Sequence, residues 1–299
     1  MQIAIFGKYF KNERFAEIQQ LFDCLAKKKI DILVYEKYLE EGKKSGIKVS
    51  SSAKTFTNYK DFSTQKVDYV IGIGGDGTML MCLEFIRENA IPVIGINTGR
   101  LGFLASVPAN EATHMIDELE KSHFSIDSRT VLQLESDKPE LFGGIKYALN
   151  DFVIHKKNSS SMITIHTFVN GVFLNSYWSD GLIVSTPTGS TGYNLSCGGP
   201  ILYPTSASLV ITPIAPHNLN VRPIIISDSN VISFETEGRS SSYLATLDSR
   251  SESIQNEVQL AIRKADFKFN LIRLSNENYL QTLREKLMWG YDNRNFRNS

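Results

Sequence analysis

Apolar and polar positions follow two different periods along this chain. Gln2 to Phe6 is a short apolar run that stops at Gly7. Behind Asn12, a residue type that caps helices, Phe15, Ile18, Leu21, Phe22 and Leu25 return at helical spacing. Ile32 to Tyr35 predicts a second strand, and Glu40 to Ser52, polar and rich in Gly, Ser and Lys, predicts an exposed loop. Tyr69 to Ile73 predicts a strand running straight into Gly74-Gly75, and Met79, Leu80, Leu83 and Ile86 predict the helix behind it. Pro92 to Ile96 predicts one more strand. Strands alternating with helices in this way argue for a parallel sheet covered by helices.

After a further helix, with Ala112, Met115, Ile116 and Leu119 on one face, the pattern changes. Short segments rich in Val, Ile, Thr, Phe and Tyr follow one another, bounded by Gly, Asn, Asp and Pro. They are Tyr147 to Ile154, Ile163 to Val169, Leu182 to Thr186, Ser208 to Thr212, Ile224 to Ile226, Asn230 to Phe234, Tyr243 to Leu247 and Glu257 to Arg263. This half predicts mostly antiparallel β-structure. A last helix carries Tyr279, Leu280, Leu283 and Leu287 as a stripe that packs on a core. The expected fold class is therefore α/β followed by all-β, in two units, which a length of 299 residues can fill.

Charge narrows the function classes. Lys+Arg and Asp+Glu are equal at 32 each, so there is no overall field to hold DNA, RNA or an anionic membrane surface. Cys24, Cys82 and Cys197 are too few and too scattered for a disulfide framework or a metal site. The first ten residues lack the form of a secretion signal, and no stretch has the roughly eighteen apolar residues of a membrane span. A cytoplasmic protein without a nucleic-acid or membrane partner is expected.

Gly74-Gly75-Asp76-Gly77-Thr78 stands at the carboxyl end of a buried strand and opens a helix, the place where open α/β sheets bind ligands. Glycines let the backbone approach a phosphate, and the helix start adds partial positive charge. A carboxylate in such a loop is repelled by phosphate unless it binds a metal ion or takes a proton. Asp76 is thus either a general base for a hydroxyl attacking phosphorus or the cap of a tight turn. Thr186 to Tyr193, preceded by Ser179-Asp180-Gly181 and followed by Gly198-Gly199-Pro200, offers many hydroxyls and one aromatic face. Such a run suits a polar, uncharged ligand edge such as adenine, or simply connects two strands. Lys8 after the first strand and Arg100 in its own Gly-rich loop are further phosphate candidates beside Gly74 and Thr78. The five histidines form no cluster of metal ligands, and no metal site is assigned.

Taken together these motifs resemble the bacterial NAD kinases. The resemblance runs through Gly74 to Thr78, Gly95 to Leu104, Asn150-Asp151 with Val153-Ile154-His155, Asp180 to Tyr193, Cys197 to Pro200, and Thr212 to His217 with Arg222-Pro223. It implies a Rossmann-like first domain over 1–121, a mostly β domain over 122–269 that binds NAD, a site in the cleft between them, and a C-terminal segment 270–299 returning to the first domain. It further implies Asp76 as the base for the ribose 2′-hydroxyl, with Gly75 and Gly77 beside the dinucleotide. Asn150 and Asp151 match the Asn-acid pair that holds NAD, where the acid is more often Glu. Thr188, Thr191, Gly192 and Tyr193 match the adenine surroundings. Asp180 matches an acid that reaches a neighbouring subunit's ligand. Asp248 matches an acid late in the β domain, followed here by Ser249 where relatives often carry Gly.

The implied reaction is phosphorylation of NAD by ATP to give NADP. Phosphoryl transfer needs alignment, charge neutralisation and a proton acceptor. Mg²⁺ is expected on the oxygens of ATP, since the sequence shows no protein cage for it. The implied assembly is a homo-oligomer, with a tetramer favoured. The glycine loop with Asp76 is shared with lipid and sphingoid-base kinases, the alternative enzyme class. That class calls for an apolar entrance and a basic bias.

Overall fold

The computed structural model describes residues 1–10, 12–99, 102–157, 161–274 and 278–289. The chain divides into two compact units. One comprises Met1–Cys82, Ile91–Ile126 and Leu271–Ser299, the other Leu83–Ala90 and Asp127–Asn270.

In the first unit the elements are β1 (Gln2–Gly7), α1 (Phe15–Lys27), β2 (Asp31–Tyr35), α2 (Glu36–Lys44), β3 (Lys54–Phe56), α3 (Tyr59–Ser63), β4 (Tyr69–Gly74), α4 (Asp76–Ile86), β5 (Val93–Asn97), β6 (Val107–Pro108) and α5 (Ala112–Glu120). The strands pair in the order β3-β2-β1-β4-β5, all parallel, with β6 also parallel to β5. Ile3 and Ile5, Ile71 and Ile73, and Ile94 and Ile96 project alternately from these strands into a core with Ile18, Leu21 and Leu25 of α1 and Met115, Ile116 and Leu119 of α5. Alternate residues of a strand share a face, which is why the apolar runs of the sequence mark these strands. The expected loop at Glu40 to Ser52 is instead helical as far as Lys44. Tyr38, Leu39 and Gly42 lie on its buried side, an apolar stripe too narrow to stand out among Glu and Lys.

The second unit is antiparallel β, as its sequence pattern predicts. It contains β7 (Phe124–Ser136, from residue 127), β8 (Tyr147–Ala148), β9 (Asp151–His155), β10 (Ile163–Val169), β11 (Val172–Ser179), β12 (Gly181–Ser185), α6 (Tyr193–Ser196), β13 (Ser208–Ile214), β14 (Ile224–Ser227), β15 (Ile232–Glu237), β16 (Ser242–Leu247), β17 (Arg250–Gln255) and β18 (Leu260–Leu274, to residue 270). One sheet has the order β14-β13-β12-β9-β16-β17. In the other grouping β11, β10, β15 and β18 pair in succession. Phe152, Ile154, Leu182, Val184, Leu209, Ile211, Ala245 and Leu247 face a core shared with Ile165, Tyr177, Phe234 and Ile262. The last residues rejoin the first unit: Leu271 pairs in parallel with Val93 of β5, and α7 (Tyr279–Leu287) follows, Asn278 capping it by accepting from the Leu280 amide.

Among the described residues no helix is long and apolar enough to cross a membrane.

Candidate functional site

Each unit carries one group of the candidate residues. In the first, β1, β4 and β5 end level with one another: Gly7 lies opposite Ile73, and Gly74 opposite Asn97. Lys8, Gly74 and Thr98 therefore emerge together at the carboxyl edge of a parallel sheet, where ligands bind in such folds. Lys8 is exposed, its ammonium 5.3 Å from the Tyr9 ring centre. Gly74 is confined, because a Cβ there would sit 2.1 Å from Thr78 Oγ1. Gly75 and Gly77 are exposed and would meet nothing within 4 Å, so their backbone is open to an approaching ligand. The first amides of α4 have no carbonyl four residues back. A helix start of this kind suits an anion in general, and here the Thr78 and Met79 amides already bond Gly75 O at 2.9 and 3.3 Å, leaving the Asp76 and Gly77 amides as the ones at the loop.

The Asp76 carboxylate does not cap α4. It reaches across to a second turn, accepting from the amides of Phe103 (2.8 Å, Oδ2), Leu104 (2.9 Å, Oδ1) and Ala105 (3.0 Å, Oδ1). That turn is drawn tight against the sheet. A Cβ on Gly95 would lie 2.6 Å from Ala105 Cα, and one on Gly102 only 1.9 Å from Asp76 Oδ1. Buried Asn97 completes the bracing, donating to Ala105 O at 3.2 Å and accepting from the Gly99 amide at 2.7 Å. A carboxylate has about four lone-pair positions. Three are engaged here, and Oδ2, with a single donor, keeps room for one hydroxyl. Arg100 lies outside the described residues.

In the second unit, the expected continuous strand from Tyr147 to Ile154 is broken at Leu149-Asn150, and the break has a long-range cause. Asp248, in the β16–β17 turn, accepts from the amides of Leu149 (2.8 Å), Asn150 (2.8 Å) and Asp151 (3.2 Å). Its own backbone is left-handed, at φ 51°, a conformation Asp tolerates, so Ser249 needs none of the freedom of glycine. Burial pushes the Asp248 carboxyl above its usual range, and the three amide bonds act against that rise. The Asp248 carboxylate thus holds the Asn150-Asp151 corner by its backbone, as Asp76 holds residues 103–105.

The corner frees two side chains. No described residue hydrogen-bonds the side-chain amide of Asn150, and its backbone carbonyl takes the Thr186 amide at 2.9 Å. Gly189 packs so closely on Asn150 that a Cβ would lie 2.2 Å from that carbonyl. Asp151 is 6% exposed, and its carboxyl is pushed up to about 7 by burial first and by the charge of Asp248 second. The facing loop is fixed by its own hydroxyls. Thr186 Oγ1 donates to Leu149 O (2.6 Å) and accepts from the Gly189 amide (3.1 Å). Thr191 Oγ1 donates to Thr188 O at 3.4 Å, and the Gly192 amide to Gly189 O at 2.8 Å. Tyr193 leaves the loop 41% exposed, an aromatic face open to a planar group. Asp180 is ion-paired with Lys156 at 2.5 Å.

Two residues that the sequence left unmarked organise this loop. Asn194, fully buried, donates to Ser190 O (3.1 Å) and Pro200 O (3.0 Å) and accepts from Thr212 Oγ1 (2.6 Å). A Cβ on Gly199 would lie 2.0 Å from its Oδ1. Arg129, only 2% exposed, donates to Thr188 Oγ1 at 3.2 Å and pairs with Asp127 at 2.6 Å. A buried Arg is affordable only when paired. Its presence in a strand of mixed character was the one available signal.

Comparison with known proteins bears on both halves. Residues 3–124 match the family model of the ATP-NAD kinase N-terminal domain, and residues 149–274 that of the ATP-NAD kinase C-terminal domain. A protein named NAD kinase from Cytophaga hutchinsonii is 49% identical over 295 residues, covering 99% of this chain and 100% of that one. One of the same name from Flavobacterium psychrophilum is 44% identical over 299 residues, with the same coverage. Among solved structures, yeast NADH kinase complexed with NADH superposes with a TM-score of 0.87 at 21% identity, covering 98% of this chain and 88% of that one. An NAD kinase from Archaeoglobus fulgidus in complex with ATP superposes at 0.71 and 23% identity, covering 96% and 99%. These two structures share the fold of this chain.

Proposed function

The chain belongs to the ATP-NAD kinase family, and from that premise we propose that it transfers the terminal phosphoryl group of ATP to the adenosine-side ribose 2′-hydroxyl of NAD, giving NADP and ADP. The observation that carries the proposal is the Gly74–Thr78 loop. It combines open backbone at Gly75 and Gly77, a helix N-terminus, and a carboxylate whose orientation is fixed by three amides. Phosphoryl transfer asks the protein mainly for positioning and charge.

In this mechanism the phosphates lie along Gly74 to Thr78, with Lys8 supplying positive charge, as does Arg100. The acceptor hydroxyl gives its proton to the free position on Asp76 Oδ2, and its oxygen then attacks the γ-phosphorus while ADP leaves. Mg²⁺ arrives as part of the nucleotide substrate and spreads the charge of its phosphate oxygens. Asn150, with an uncommitted amide, and Asp151 bind polar groups of NAD. Thr188, Thr191, Gly192 and Tyr193 surround its adenine. Asp248 serves this group by holding the Asn150-Asp151 backbone.

The test is direct: purified protein, NAD, ATP and Mg²⁺, with product read by an NADP-specific dehydrogenase. Signal that requires all four components is expected. Consumption of ATP without NADP, or with a sphingoid base as the better acceptor, would overturn the proposal.

A further inference from the structure

Asp151 is a largely buried acid to which no described residue donates a hydrogen bond. β9 pairs with β12 so that Asp151 lies opposite Ser185, and Val153, two residues on, shares its face. That face is the one away from the main core of the unit: Val153 packs with Ile183, Ile214 and Cys197, whereas Phe152 and Ile154 face the core. That face carries polar as well as apolar side chains, with Ser185 opposite Asp151 and Thr246 opposite Val153.

The titratable groups around it can be named. Asp248, from the β16–β17 turn, is the charged group that acts on it, and its effect is repulsive. From α6 comes Tyr193 and from its C-terminal cap Cys197, whose hydroxyl and thiol are both pushed up by burial and so stay neutral. Asp180 also acts on Tyr193, and its charge is met by Lys156. From β12, Ser185 turns its one hydroxyl proton to the Thr186 carbonyl at 3.0 Å, with the Asn150 carbonyl within 3.4 Å as the weaker acceptor. No described residue donates a hydrogen bond to the Asp151 side chain, and the amides of its own corner are taken by Asp248. Burying an ionised carboxylate with no donor and no cation is so costly that such a group takes up a proton instead.

Resting on the NAD-binding proposal above, we propose that Asp151 works as the neutral acid, donating its carboxyl proton in a hydrogen bond to an acceptor atom of the dinucleotide, a ring nitrogen or a carbonyl oxygen. The usual role of a binding-site carboxylate, accepting from ribose hydroxyls, is thereby reversed. A carboxyl near pH 7 makes the reversal visible, because the donor is present below that pH and lost above it.

The experiment measures NAD affinity by calorimetry from about pH 6 to about pH 8.5 for the wild type, D151N and D151A. Wild-type affinity is expected to fall about tenfold across that range, the worth of one well-placed donor. D151N replaces the acid by an amide that donates at every pH, so its profile is flat and tracks the wild-type value at low pH. D151A has no donor, and its profile is flat at the weak level. Both substitutions remove a buried, repelled carboxyl and favour folding, and melting curves verify it. Affinity that rises with pH, or D151N that is weak throughout, would show Asp151 to be an acceptor and overturn the proposal. A wild-type profile that D151N parallels would assign the titration elsewhere and also overturn it. Binding with the wrong trend leaves the dinucleotide reading standing, whereas a folded wild type that binds no NAD at any pH removes both.

Discussion

Replacing Asp76 by Asn separates two roles that one carboxylate carries. In the wild type Oδ1 accepts from Leu104 and Ala105 and Oδ2 from Phe103. The best an Asn can do is keep its carbonyl oxygen on the two-donor side and turn its NH₂ toward the Phe103 amide, setting donor against donor. One charge-assisted bond is lost, two are weakened, and the cost is about 1–3 kcal/mol. For a domain of this size that is a fall in melting temperature of roughly 3 to 10 °C. Loss of the proton acceptor adds a fall in kcat of at least about 10²-fold, with NAD affinity largely retained. Gly102→Ala is the control, since its Cβ would lie 1.9 Å from Asp76 Oδ1 and displaces the carboxylate without removing it. Thermal melts and steady-state kinetics on both variants decide the matter. An unchanged melting temperature in D76N would refute the clamp, and near-native turnover would remove Asp76 from the chemistry.

Gly199→Ala drives a methyl group into Asn194 Oδ1 and is expected to cost about 1–3 kcal/mol and raise the KM for NAD, both measurable on one preparation; an unaffected variant would contradict the role of Asn194 as the centre of its loop. Asp151, carried from 3.8 to about 7, makes the folded chain less stable as pH rises through that interval, by up to about 4 kcal/mol, because the folded state holds a proton the unfolded chain releases. The melting temperature of D151N should therefore exceed that of the wild type by a margin that opens between those values and stays constant above them, and a margin independent of pH would contradict it. Sedimentation at assay concentration should show a homo-oligomer, with a tetramer expected; a fully active monomer would rule out sites shared between subunits through Asp180.

How much of this was legible in the sequence depended on the distance over which each feature is determined. The runs at Gln2, Tyr69 and Pro92 announced β1, β4 and β5 because strands buried in a parallel sheet are apolar along their length. The glycine loop announced Asp76, but the partners of its carboxylate are 27 to 29 residues away, and nothing local points to them. The break between β8 and β9 was invisible for the same reason, since Asp248 makes it from about a hundred residues downstream. β7 escaped notice because Asp127, Ser128 and Arg129 interrupt its alternation, and Arg129 is buried only by virtue of Asp127 and Thr188. Asn194 reads as one more polar residue in a polar loop until Gly199 and Thr212 are seen against it.

The measurement that bears most directly on the central claim follows the phosphoryl group itself. With ATP labelled at its γ-phosphorus, NAD and Mg²⁺, the purified protein should place the label in a product that an NADP-specific dehydrogenase accepts, one labelled NADP formed for each ADP released, and D76N should form it at least about 10²-fold more slowly. Label recovered as inorganic phosphate, or in a dinucleotide that the dehydrogenase rejects, would contradict transfer to the adenosine-side 2′-hydroxyl.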